Sequence, residues 1–165
     1  MITVDEFIKE YEKTDNKTEF CKQHIKNEYV PYSKKMDKCH QIIKGGCYKK
    51  VGDDEVFYIN SPAIKMLFEI LLIQLYTDIV IKDPVGDFEK IDECGVFDTR
   101  SLLDILNANY PKREVENLYD LLWDMVDDAE KNTHHIVSYL DTWVRSLNIS
   151  LDSLMELAGG EDNDK

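Results

Sequence analysis

Five side chains in the first third of the chain carry donor atoms that zinc prefers: Cys21, His24, Cys39, His40 and Cys47. Cys21 and His24 lie three apart, so a helix would hold both on one face. Cys39 and His40 could meet them across a helix pair, completing four sulfur and nitrogen donors for a tetrahedral ion. The spacing follows no common zinc pattern, however, and no paired Cys-x-x-Cys knuckle occurs. Cys39 and His40 also fall on the apolar face of their predicted helix, where a free thiol packs as a small hydrophobe. The set is therefore read as core, and no metal is assigned. His134 and His135 form a second pair, but adjacent helical positions point about 100° apart and seldom hold one ion.

Carboxylates form the other pattern. Asp120, Asp124 and Asp127 share a helical face at i, i+4 and i+7, with Asp128 beside them and Glu116 one turn earlier. Such a row can be a solvated outer face, a docking surface for a basic partner, or a divalent-cation site. Like charges one turn apart repel, so the row lowers the stability of an isolated helix. Glu116, Asp120, Asp124, Asp127 and Asp128 are the candidate partner-binding residues.

Enzyme signatures are missing from the sequence. It contains no Gly-x-Ser-x-Gly, phosphate loop, dinucleotide fingerprint or His-Glu-x-x-His. Four cysteines and four histidines leave a nucleophile pair open without singling one out, and no catalytic residue or cofactor is assigned. Lys34, Lys35, Lys38, Lys44, Lys49 and Lys50, interleaved with Tyr29, Tyr32 and Tyr48, are residue types that can bind nucleic acid. A solvated lysine face is the competing reading.

The elements that must position these residues read as helices. Thr3-Val4-Asp5-Glu6 is a capping box opening a helix to about Lys13, and Asp15 or Asn16 caps a second that ends near Asn27. Ser33 is expected to cap a third, stopped by Gly45-Gly46. Cys47–Val51 and Val56–Ile59 flank a Gly/Asp turn and read as a β-hairpin. Asn60-Ser61-Pro62 starts a helix apolar on nearly all sides, as a central helix should be. Thr77–Ile81 reads as a short strand. Asp87 is expected to open a short helix closed by Gly95, and Asp98 or Thr99 another. From about Pro111 a long helix carries Val115, Leu118, Leu122, Met125 and Ala129 at heptad-like steps. A matching seam at Ile136, Leu140, Trp143 and Leu147 predicts an antiparallel partner helix, and Ser150 caps a last one. The expected fold is mainly α: seven or eight helices around Ser61–Tyr76 with one small hairpin. It should form one domain over 1–158, with an acidic tail at 159–165.

The chain has 33 acidic against 20 basic side chains, for a net charge of −13. Residues 1–50 hold eight acids and eleven lysines, while 51–165 hold 25 acids and nine Lys or Arg. Phosphates are repelled by such a molecule, so nucleic acid is disfavoured as a partner. A basic protein surface is favoured. No signal peptide is recognised, and the apolar stretch Ile64–Tyr76 is too short to span a membrane. Scattered cysteines fit a reducing, cytoplasmic setting.

The stretches YVPYSKKMDKCHQIIK (Tyr29–Lys44) and NSPAIKMLFEILLIQLYTDI (Asn60–Ile79), and more loosely SYLDTWVRSL (Ser138–Leu147), resemble small acidic proteins of phages and prophages of Gram-positive bacteria. That resemblance implies a viral origin and a host-cytoplasm location, and carries over no catalytic residue. The expected function is a non-enzymatic acidic binding protein, a phage inhibitor that engages a basic, nucleic-acid-handling host protein through its acidic C-terminal half. The alternative is a virion assembly or structural protein acting through apolar helix surfaces, with homo-oligomerisation open.

Overall fold

A computed structural model describes residues 1–51 and 54–133. The chain divides into two units, Met1–Val126 and Asp127–Lys165. Among the described residues the order is β1 (Ile2–Thr3), α1 (Val4–Lys13), α2 (Lys17–Gln23), α3 (Tyr32–Gly46), β2 (Tyr48–Val51), β3 (Asp54–Phe57), α4 (Ser61–Tyr76), β4 (Ile79–Val80), α5 (Pro84–Glu93) and α6 (Leu102–Asn109). A seventh helix, α7, runs from 112 to the last described residue, 133. The protein is mainly α with a small antiparallel hairpin, β2–β3, as its patterning predicts. His134, His135, the expected partner helix, the helix after Ser150 and the tail 159–165 lie outside the described residues.

Local chemistry sets the helix starts. The Thr3 hydroxyl accepts from the Glu6 amide while Glu6 reaches back, and Ser101 and Asp104 form a second capping box. Asn16 and Asn60 cap α2 and α4, the latter with proline in the first turn. Three starts differ from the sequence expectation. α3 begins at Tyr32, after Pro31 and without a side-chain cap, not from Ser33. α5 begins three residues before Asp87, at Pro84, because proline lacks only an amide that a first turn leaves unpaired anyway. Asp98 opens no helix; it is ion-paired to Lys17 at 2.7 Å.

α3 ends at Gly45-Gly46 as expected, but not through a left-handed exit. Both are helical, and the described glycine with positive φ is Gly95, at 73° after α5. Gly46 is instead a contact residue: a Cβ there would lie 2.7 Å from the Ile64 Cγ1. Its missing side chain lets α3 approach α4.

The core is built around α4, where Ile64, Phe68, Ile70, Leu71, Leu72, Ile73, Leu75 and Tyr76 are all buried. Each such side chain contributes roughly 1.5–3 kcal/mol when fully buried. The end of α4 is strapped on two sides. Lys26 donates its backbone N–H to Tyr76 and Asp78 donates to His24, while β4 pairs with β1 in parallel, Ile2 opposite Ile79. Thr77 turns the chain, donating to the Ile73 carbonyl and accepting from the Ile79 amide. No helix among the described residues is long and apolar enough to cross a membrane.

Candidate functional site

α7 is the element that presents the carboxylate row. Leu118, Leu122 and Val126 are fully buried, stepping four residues each time. Val115 and Met125, expected in a heptad-like seam, are only half-buried. A straight helix of 3.6 residues per turn drifts off a heptad line, so the buried stripe moves onto Val126. Glu116, Asp120 and Asp124 take the opposite, exposed side of the same helix. Asp127 and Asp128, which begin the second unit, are exposed as well. Glu116 approaches Lys112 at 4.0 Å; among the described residues no ion pair reaches Asp120, Asp124, Asp127 or Asp128.

Beside this row, α7 and α4 enclose a slot of about 350 Å³ lined by Ile64, Lys65, Phe68, Glu69, Tyr119 and Trp123, with Ser61 and Leu122. Its aromatic walls meet edge to face: Phe68 and Tyr119 at 5.6 Å between ring centres, Tyr119 and Trp123 at 6.1 Å. Two polar atoms here are buried with no hydrogen-bond partner, Glu69 Oε2 and Trp123 Nε1. Burial pushes the Glu69 carboxyl above its ordinary value, against the opposing pull of an Asn107 hydrogen bond and the Lys65 charge. The sequence signal for this slot was slight: one Glu inside an apolar helix, and two aromatics four apart.

No protein-family model, curated protein or solved structure matches the chain.

The cysteine and histidine candidates do not come together. Among the described residues no group of three or more His, Cys, Asp or Glu side chains is placed to hold a metal ion. Cys21 and Cys39 are fully buried, but His40, expected on the same apolar face as Cys39, is exposed. Neighbouring helical positions point in different directions, and the apolar stripe takes Cys39. His24 ends α2, its Nδ1 2.8 Å from Asp78 and its ring packed on Phe7 and Phe20. Burial pushes the Cys21 thiol up to about 12 and Cys39 to about 11, and raises Cys47 and Cys94 too. A nucleophilic thiol needs the opposite shift.

Nor do the lysines form one solvated face. Lys35 is buried and ion-paired at 2.6 Å to Glu114 of α7, with its ammonium over the Tyr29 ring. Lys34, Lys44, Lys49 and Lys50 are exposed. One lysine of the six thus pins α3 to α7 and leaves the basic surface.

Proposed function

We propose that this chain is a non-enzymatic acidic binding protein that docks on a basic protein surface through the carboxylates of α7. The observation that carries the reading is the exposed line Glu116, Asp120 and Asp124, opposite the buried Leu118, Leu122 and Val126. A fixed carboxylate array occupies positions that a basic surface otherwise offers to phosphates. Raised thiol pKa values and the lack of enzyme signatures in the sequence support binding over catalysis. The resemblance of Tyr29–Lys44 and Asn60–Ile79 to phage proteins suits an inhibitor of a nucleic-acid-handling host protein. Tagged protein incubated with a Gram-positive lysate should capture a basic protein that leaves at high salt, identified by mass. Capture insensitive to salt would contradict an electrostatic mode.

A second reading, virion assembly through apolar surfaces, draws on Val96 and Phe97. Phe97 is fully exposed in the turn after α5, and Val96 is 55% exposed. Lone exposed apolar residues are ordinary, but two adjacent ones at a turn offer an anchor. Under this reading the tagged protein retains copies of itself or other viral proteins at high salt, and Phe97→Ser abolishes that retention.

A further inference from the structure

Three polar atoms are buried without a hydrogen-bond partner around one junction of helices: Glu69 Oε2 on α4, Tyr110 Oη at the end of α6 and Trp123 Nε1 on α7. The Glu69 carboxyl takes one hydrogen bond, from Asn107 of α6, and no donor among the described residues reaches its second oxygen. A carboxylate shut away from water needs donors on both oxygens. A neutral carboxyl has a hydrogen of its own to give and needs fewer. Tyr110 offers the acceptor: burial first, and then the Glu69 charge, push its hydroxyl up, so the two groups lie within electrostatic reach. The charges facing Glu69 oppose each other, Lys65 of α4 favouring the carboxylate and Asp92 of α5 the acid. From α7 come the uncharged rings of Tyr119 and Trp123. Burial outweighs the Asn107 bond and Lys65, and holds the carboxyl above its ordinary 4.5.

We propose that Glu69 is a proton-operated lock at the junction of α4, α6 and α7, closed when its side chain is the neutral acid and loosened when it is the carboxylate. In the closed state Oε2 donates to the Tyr110 hydroxyl while the other oxygen keeps the Asn107 bond, so protonation gives both orphaned oxygens a partner. In the loosened state the charge pulls toward water, and α4 gives up part of its contact with the aromatic side chains of α7. The sign follows from linkage. A carboxyl held above its unfolded value makes its full contribution below that value, and the contribution is lost as pH rises from 4.5 through the folded one. The device does not depend on what α7 docks on.

The test is a pH series on the full chain, read by NMR and by thermal melts. In the wild type the Glu69 carboxyl carbon should titrate with a midpoint above 4.5, and the Trp123 indole N–H resonance should shift with the same midpoint. Glu69→Gln should abolish that shift of Trp123. It should also melt a few degrees above wild type at about pH 8, the two converging as pH falls toward 4.5. Glu89→Gln removes an exposed carboxylate instead and should track wild type at every pH, which separates the lock from net charge. Tyr110→Phe should lower the Glu69 midpoint, because the neutral acid loses its acceptor. A Glu69 midpoint at or below 4.5 in the wild type would overturn the proposal without recourse to any variant. So would a Glu69 titration that Trp123 does not follow, or an offset between Glu69→Gln and wild type that is the same at every pH. A higher midpoint in Tyr110→Phe would make Tyr110 a donor to the carboxylate and would remove the closed state.

Discussion

Asp87 illustrates how a carboxylate can be committed to structure. It is 9% exposed, and burial alone would push its pKa up. The amides of Lys82 and Asp83, at 2.8 and 3.1 Å, and the Lys90 ammonium outweigh burial and hold it below the ordinary 3.8. A depressed folded pKa adds stability that is complete above the unfolded value and lost as pH falls through the folded one. Asp87→Asn should therefore cost about 1–3 kcal/mol in urea unfolding at pH 7. The difference from wild type should shrink below pH 3.8. Lys35 is the second test at this scale. Lys35→Met leaves the Glu114 carboxylate, at 16% side-chain exposure, without its partner, and should lower stability by about 3 kcal/mol. Neither role was legible in the sequence, where Asp87 resembles a helix opener and Lys35 one lysine among many. Both depend on atoms brought close by the fold, a relation that residue type and spacing do not encode.

Helix starts are the best-read elements, because capping is local: Thr3 with Glu6, Asn16 and Asn60-Ser61-Pro62 each act on amides within a few residues. The hairpin was legible for the same reason, its turn residues lying between two β-rich runs. The parallel pairing of Ile2–Thr3 with Ile79–Val80 was not. Two-residue strands have no periodicity, and their partner lies far along the chain. The glycines of α3 mark its end, but not by the conformation expected of them. A Gly-Gly pair reads as a helix exit, yet Gly46 serves the approach to Ile64 across the α3–α4 contact. Gly46→Ala should cost about 1–3 kcal/mol through overpacking. Gly45→Ala meets only the end of Leu67 at 3.3 Å and should be nearly neutral, since alanine's helix propensity offsets the tighter contact. Thermal melts of the two variants, compared side by side, check this.

At the scale of the molecule, charge distribution was read directly from the sequence, and the fold adds its direction. The row on α7 was legible because helical spacing alone places Glu116, Asp120 and Asp124 on one side. The slot beside it was not, since Glu69 and Trp123 lie on different helices, more than fifty residues apart in the chain. Net charge and location make different predictions, so they can be separated. Glu116→Gln, Asp120→Asn and Asp124→Asn together remove three carboxylates from the row. Glu10→Gln, Glu28→Gln and Asp37→Asn remove three exposed ones elsewhere and change net charge equally. The central claim is tested by the affinity of these two triple variants for the basic protein captured by the wild type, measured at low and high salt. The row variant should lose about ten-fold at low salt, roughly 0.5 kcal/mol per exposed charge, and the control variant less than about two-fold. Equal losses would show that only overall charge matters and would contradict a docking surface on α7.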